Sequence, residues 1–183
     1  MKKGLIALII LAVIAFGLYQ WAVGFNNTAV KYEANAKTAW SNVESSYQRR
    51  NDLIGNLVKT VQGAADFERG TLTDVIEARA KASSTSIDAN NLSPENMAAF
   101  QQAQTGLTGA LSKLMVVVER YPELKANQNF LELQSQLEGT ENRINVSRDR
   151  YNEQVNIYDI HTTQFPGKLL AGWFGFEEMA RYK

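Results

Sequence analysis

Polar and apolar positions divide the chain into two regimes. From Gly4 to Phe25, 18 of 22 residues are apolar, and no charged side chain occurs between Gly4 and Val30. After Lys31 the apolar residues are spaced rather than continuous. Trp40, Val43, Tyr47, Arg50, Ile54, Leu57, Val61 and Ala64 recur at alternating steps of three and four. Phe100, Ala103, Leu107, Ala110, Leu114, Val117 and Tyr121 repeat the pattern, as do Phe130, Leu133, Leu137, Thr140, Ile144, Ser147 and Tyr151, with Val155 and Tyr158 continuing that line. Three-four alternation is the seam of helices that pack at shallow angles. Period-two alternation, the mark of a half-buried strand, does not occur. The pattern predicts an all-α chain: an N-terminal transmembrane helix continuing into an elongated antiparallel bundle of three or four helices.

The breaks in the pattern place the helix ends. Ser83 to Asn91 is a polar loop, and Ser93-Pro94-Glu95 reads as an N-cap, a proline at the first helical position and an acid in the first turn. Pro122 closes one helix, Asn127 caps the next, and Phe165-Pro166-Gly167 ends the last. The predicted helices are 5–83, 94–120 and 128–164. Gly55, Gly63 and Gly70 each lower helix propensity by about 1 kcal/mol relative to Ala, and mark where the first helix would bend or split. Three segments follow: an anchor over 1–30, a bundle over 31–164 and an apolar tail over 165–183.

The 19-residue run from Leu5 to Val23 matches the ~20 helical residues that cross a bilayer core of about 30 Å. Leu5, Ile9, Leu11, Ile14, Phe16 and Leu18 form its body, and Tyr19, Trp21 and Phe25 gather at its C-terminal end, where amphipathic rings favour the headgroup level. A cleaved signal peptide is the competing reading, with Ala22-Val23-Gly24 as a small-x-small site, but its apolar core is normally only 7–15 residues. Lys2 and Lys3 before the run favour a cytoplasmic N-terminus, an inner-membrane anchor and an extracytoplasmic bundle. With Ala34, Ala36 and Ala39 continuing the helical propensity, anchor and first bundle helix read as one rod.

Charge sharpens the picture. The whole chain has 19 basic and 19 acidic residues, but 17 and 19 from Lys31 onward. A faintly acidic domain with scattered charge is a poor nucleic-acid binder. The lack of cysteine excludes disulfides and thiol chemistry. A carboxylate-bridged di-metal site, which bundles can host, needs two Glu-x-x-His pairs. The single histidine is His161, with Tyr158 three residues before it, so no cofactor or metal is expected. His161 itself reads as a surface residue suited to a helix C-terminus.

Several motifs together resemble the LemA family. They are Asn35-Ala36 with Ala39-Trp40, Arg49-Arg50-Asn51-Asp52-Leu53-Ile54, Asn56-Leu57-Val58-Lys59-Thr60-Val61, Glu77-Ala78-Arg79, Tyr121-Pro122 through Asn127, Thr140-Glu141-Asn142-Arg143-Ile144, Arg148 to Asn152, and Phe165-Pro166. The likeness covers nearly the whole chain. Gly55 departs from it, since such proteins often carry Pro there. The resemblance implies a bacterial single-pass membrane protein with an extended helical bundle, no established enzymatic activity, and relatives associated with membrane organisation in specialised compartments.

Two sets of side chains are candidates for specific roles. Arg49, Arg50 and Asp52 form the best polar cluster. Arg50 lies on an apolar stripe, where a charge is costly unless paired, so an interhelical ion pair with Glu141 or Asp149 outweighs an anion or lipid-headgroup site. Asn142 and Arg143 read as part of a polar layer that sets helix register. In the tail, Leu169, Leu170, Trp173, Phe174 and Phe176 lie outside the stripes and need cover. A fold-back onto the chain's own helices and an interaction surface for a membrane or another subunit are equally open. The implied partners are the lipid bilayer and further copies of the chain. The expected role is a self-associating membrane scaffold without catalysis, the alternative a monomeric adaptor whose bundle docks a protease or signalling protein.

Overall fold

A computed structural model describes residues 2–63 and 67–183. Its elements are α1 (Lys2–Gln62), α2 (Arg69–Ser84), α3 (Pro94–Val118), the single turn α4 (Pro122–Lys125), α5 (Gln128–Thr163) and α6 (Gly167–Phe174). No strand occurs among the described residues. The first predicted helix, 5–83, is two helices. α1 runs through Gly55 and stops before Gly63, whose N–H reaches back to the Lys59 carbonyl, and Gly70 falls in the first turn of α2. Ala64, the end of the first stripe, lies outside the described residues. The predicted caps form: Ser93 Oγ accepts the Asn96 N–H at 3.2 Å, and Asn127 Oδ1 accepts that of Phe130 at 3.2 Å.

The chain divides into two compact units, one of Met1–Ala36 with Glu153–Met179, the other of Lys37–Asn152 with Ala180–Lys183. The second unit is the bundle. Trp40 meets Phe100 and Tyr151, while Arg50 meets Gln104 and Glu141. Thus α1 runs parallel to α3 and antiparallel to α5. Asn51 and Gly55 meet Ser83 and Arg79, which sets α2 antiparallel to α1. The result is an up-down-up-down arrangement of four helices.

All seven described positions of the first stripe, Trp40 to Val61, are buried. The second stripe is buried from Phe100 to Leu114, after which Val118 takes the inner position expected of Val117. The third holds from Phe130 to Tyr151, with Leu133 and Ser147 half-buried. Leu53, Leu57, Val58 and Leu137 join one core cluster, while Asn56 faces outward. Trp40 donates its indole N–H to the Ile87 carbonyl at 2.9 Å, so the loop before α3 is tied to the core.

Candidate functional site

In the first unit, the N-terminal part of α1 is long and apolar enough to cross a membrane. Its 18-residue window has a mean hydropathy of 2.3, and none of that window is buried inside the protein. Leu5, Ile9, Leu11, Ile14, Phe16, Leu18, Tyr19 and Trp21 all present their side chains outward. Phe25, expected as the last anchor residue, does not: it is 7% exposed. Its ring stacks on the His161 imidazole at 4.4 Å and sits in a cluster with Ala29, Leu170 and Ala171. The expectation for His161 changes with it. The ring is half-buried, meets Tyr32 edge-on at 5.4 Å, and donates from Nε2 to the Phe25 carbonyl at 3.1 Å, since a carbonyl only accepts.

The apolar tail splits between the two outcomes left open by the sequence. Leu170 and Ala171 fold back onto α1, and Phe176 is half-buried against the same cluster. On the other face of α6, Leu169 is 68% exposed and Trp173 82%, with Phe165 and Phe174 also exposed. Pro166 sits at the N-cap of α6, and Gly175 ends the helix at φ 78°, a left-handed cap that glycine adopts without strain. Gly167 has a different reason: a Cβ there would lie 2.7 Å from the Phe25 ring and 2.7 Å from the His161 carbonyl. An open groove of about 450 Å³ lies beside this contact, lined by Trp21, Phe25, Tyr32, Ile160, His161 and Phe165.

In the bundle, the polar cluster separates. Arg49 and Asp52 face outward, and only Arg50 enters the core. Its guanidinium donates to Gln104 Oε1 at 2.6 Å and to Glu141 Oε2 at 3.1 Å, and lies 4.9 Å from the centre of the Tyr47 ring. Glu141 is therefore the ion-pair partner, and Gln104 is a second partner that the stripes did not flag. Asn142 and Arg143 point outward, while Thr140 and Ile144 of that motif are buried and Glu141 reaches Arg50. A cavity of about 340 Å³ adjoins this layer, with Arg50, Thr108, Met115 and Glu141 among its walls. Tyr121 packs its ring against Phe67 at 4.8 Å just before Pro122 opens α4.

Tyr182 is a core residue that no periodicity announces. Its hydroxyl is 2.6 Å from that of Tyr47, its N–H donates to Asn152 Oδ1 at 2.9 Å, and its carbonyl accepts from Asn152 Nδ2 at 2.8 Å. Arg148 covers the ring at 3.9 Å, and the Tyr151 hydroxyl donates to the Ala180 carbonyl at 2.5 Å. Burial first, then the paired Tyr182 hydroxyl, pushes the Tyr47 phenol far above the usual tyrosine range. In the first unit the Tyr158 hydroxyl donates to the Glu177 carbonyl at 2.9 Å, and burial followed by the charges of Glu33, Asp159 and Glu177 pushes its pKa up to about 12. Both tyrosines stay neutral, Tyr158 as a donor to backbone and Tyr47 in a hydroxyl pair with Tyr182. Among the described residues no group of three His, Cys, Asp or Glu side chains is placed to hold a metal.

Comparison with known sequences places relatives beside this chain. The sequence profile of the LemA family matches residues 39–183. Magnetosome protein MamQ 1 of Paramagnetospirillum magneticum is 28% identical over 172 residues, covering 82% of this chain, which spans only 62% of that relative's length. Magnetosome protein MamQ of Magnetospirillum gryphiswaldense is 26% identical, over 96% of this chain and 70% of its own. Protein LemA of Metamycoplasma hominis is 24% identical, over 90% and 69%.

Proposed function

The chain belongs to the LemA family, and from that premise we propose that it is a membrane-anchored helical scaffold that self-associates and organises the membrane holding it. The observation that carries this reading is the span of α1, an apolar surface that nothing in the protein covers. Such a surface is stable in lipid and not in water. Most of the buried polar groups are bound into the structure: the Arg50 guanidinium bonds to Gln104 and Glu141, and the buried tyrosines bond to backbone or to each other. In this reading the protein carries out no catalytic step. It resides in the inner membrane of a bacterial cell, with Lys3 on the cytoplasmic side and the bundle outside, as the positive-inside tendency favours. The relatives named for the magnetosome support a role tied to a specialised membrane compartment.

Anchors confined to one bilayer raise effective concentration, so weak lateral contacts suffice for assembly. Among the described residues of the bundle, Ile76, Val116, Leu131 and Val146 are large apolar side chains left exposed. The test is the mass of the full-length protein in mild detergent and in lipid nanodiscs. Particles of several copies are the expected result. Strict monomers in both, with one foreign protein recovered in fixed stoichiometry from membranes, would replace the scaffold with an adaptor.

A further inference from the structure

We propose that α6 is an interfacial helix: its outer face, formed by Leu169, Trp173 and Phe174, together with Phe165 just before the helix, enters the lipid leaflet at the C-terminal end of the α1 span, so that the chain grips the bilayer at two adjoining points. The proposal rests on that span lying in lipid.

The level of α6 follows from its contacts. It is held by Leu170 and Ala171 against Phe25 and Ala29 of α1. The apolar run ends at Val23, so at 1.5 Å per residue these contacts fall roughly 3 to 9 Å beyond the hydrocarbon edge. A leaflet's headgroup layer is about 5–8 Å deep. The inner face of α6 is therefore fixed to the protein within the headgroup layer, and its outer face has lipid as its neighbour. Interfacial helices sink their apolar face by about 5–10 Å. The residues on the outer face suit that position. Trp173 is 82% exposed and stacks on Phe174, and tryptophan favours the boundary between headgroups and acyl chains. Lys168 is exposed beside them, with a stem long enough to carry its charge outward. Trp21 of α1 is exposed about one turn before Phe25, so a second aromatic ring flanks the boundary set at Val23.

Charge specifies the lipid chemistry. Around α6, residues 26–36 and 153–179 carry Lys31 and Lys168 against Glu33, Glu153, Asp159, Glu177 and Glu178. A polybasic stripe drawn to anionic lipid is absent from these residues. Insertion is then driven by apolar area and is indifferent to the anionic fraction of the membrane.

The cysteine-free sequence allows single-cysteine labelling of the full-length protein. A polarity-sensitive fluorophore is placed at Leu169→Cys, at Gly172→Cys, where a Cβ meets nothing within 4 Å, at Leu11→Cys in the span, and at Glu132→Cys as an exposed bundle control. The proteins are reconstituted in phosphatidylcholine vesicles with and without phosphatidylglycerol. Quenchers are a nitroxide near the carbonyl end of the acyl chain and aqueous iodide. The expected result is several-fold stronger nitroxide quenching at positions 169 and 172 than at 132, weak iodide quenching there, and no dependence on phosphatidylglycerol. Iodide quenching equal to that at 132 overturns the proposal, as does a requirement for anionic lipid. Protection from both quenchers also overturns it, and assigns the face to a second copy if it fades on dilution into excess lipid, or to another protein surface if it does not. If the label at position 11 also escapes lipid quenching, the anchor reading itself has failed.

Discussion

The Arg50 layer makes an unusual ranking testable: the neutral partner should matter more than the charged one. The Arg50 side chain is 6% exposed, while that of Glu141 is 48% exposed. Solvent on the Glu141 side screens the ion pair, which places its worth near that of exposed pairs, at most about 1 kcal/mol. The bond to Gln104 is short at 2.6 Å, and Gln104 is buried. A buried hydrogen bond to a charged group contributes about 1.5–3 kcal/mol, and losing it strands part of a desolvated guanidinium whose Nε already lacks a partner. Gln104→Ala should therefore cost about 1.5–3 kcal/mol, which lowers the melting temperature by roughly 4–10 °C in a chain of this size. Glu141→Ala should cost no more than about 1 kcal/mol, a shift under roughly 4 °C, and added salt should shrink it further. The assay is thermal unfolding of each full-length variant in the same detergent, followed by far-ultraviolet circular dichroism at low and high salt. A larger loss for Glu141→Ala than for Gln104→Ala, independent of salt, would refute the reasoning and show that the ion pair holds the layer.

Three further outcomes follow from packing and burial. Gly167→Ala pushes a methyl to 2.7 Å from the Phe25 ring and from the His161 carbonyl, so it should free α6 from α1, seen as faster amide hydrogen exchange over 167–176 with the bundle unchanged. Tyr182→Ala removes a buried ring and leaves the Tyr47 hydroxyl unpaired, at a cost of about 3–5 kcal/mol by analogy with other buried aromatics, whereas Tyr182→Phe should cost only about 1 kcal/mol; comparison of melting temperatures checks the ratio. Tyr158 is held neutral with its pKa pushed up to about 12, so its contribution is complete below the unfolded value near 10 and is lost as pH rises from about 10 to about 12; in a pH titration of stability Tyr158→Phe should flatten that decline.

The bundle was legible because its information is local and periodic. Trp40, Ile54, Leu107 and Ile144 each repeat at helical spacing among polar neighbours, and that contrast identifies the inner face before any contact is known. Arg50 was legible for the same reason, as a charge at an apolar position that demands partners. Gln104 was not, because it sits one residue beside the stripe position Ala103 and is drawn in by a partner on another helix. The cover over Phe25 was not legible, for the opposite cause. It lies in a run so uniformly apolar that no polar position marks which face is covered, and only α6, more than 140 residues away, decides it. Tyr182 sits in Ala180-Arg181-Tyr182-Lys183, a segment with no helix and no period. It is held by side chains of α5 bonding to its backbone, a pattern that leaves no trace in hydrophobic spacing. The family motifs did include that side of the contact, in Arg148 to Asn152, without disclosing what they grasp.

The place of Tyr182 has a consequence for how the protein is made. The apolar span of α1 precedes α2, α3 and α5 in the chain and can engage a membrane before they are made. Tyr182, which closes the bundle around Tyr47 and Phe100, follows α1, α2, α3 and α5 in the chain. Until Tyr182 has been made, the four helices therefore lack one of their aromatic members. A bundle that waits for Tyr182 is one that can still be threaded, sorted or paired with a neighbouring chain before it sets.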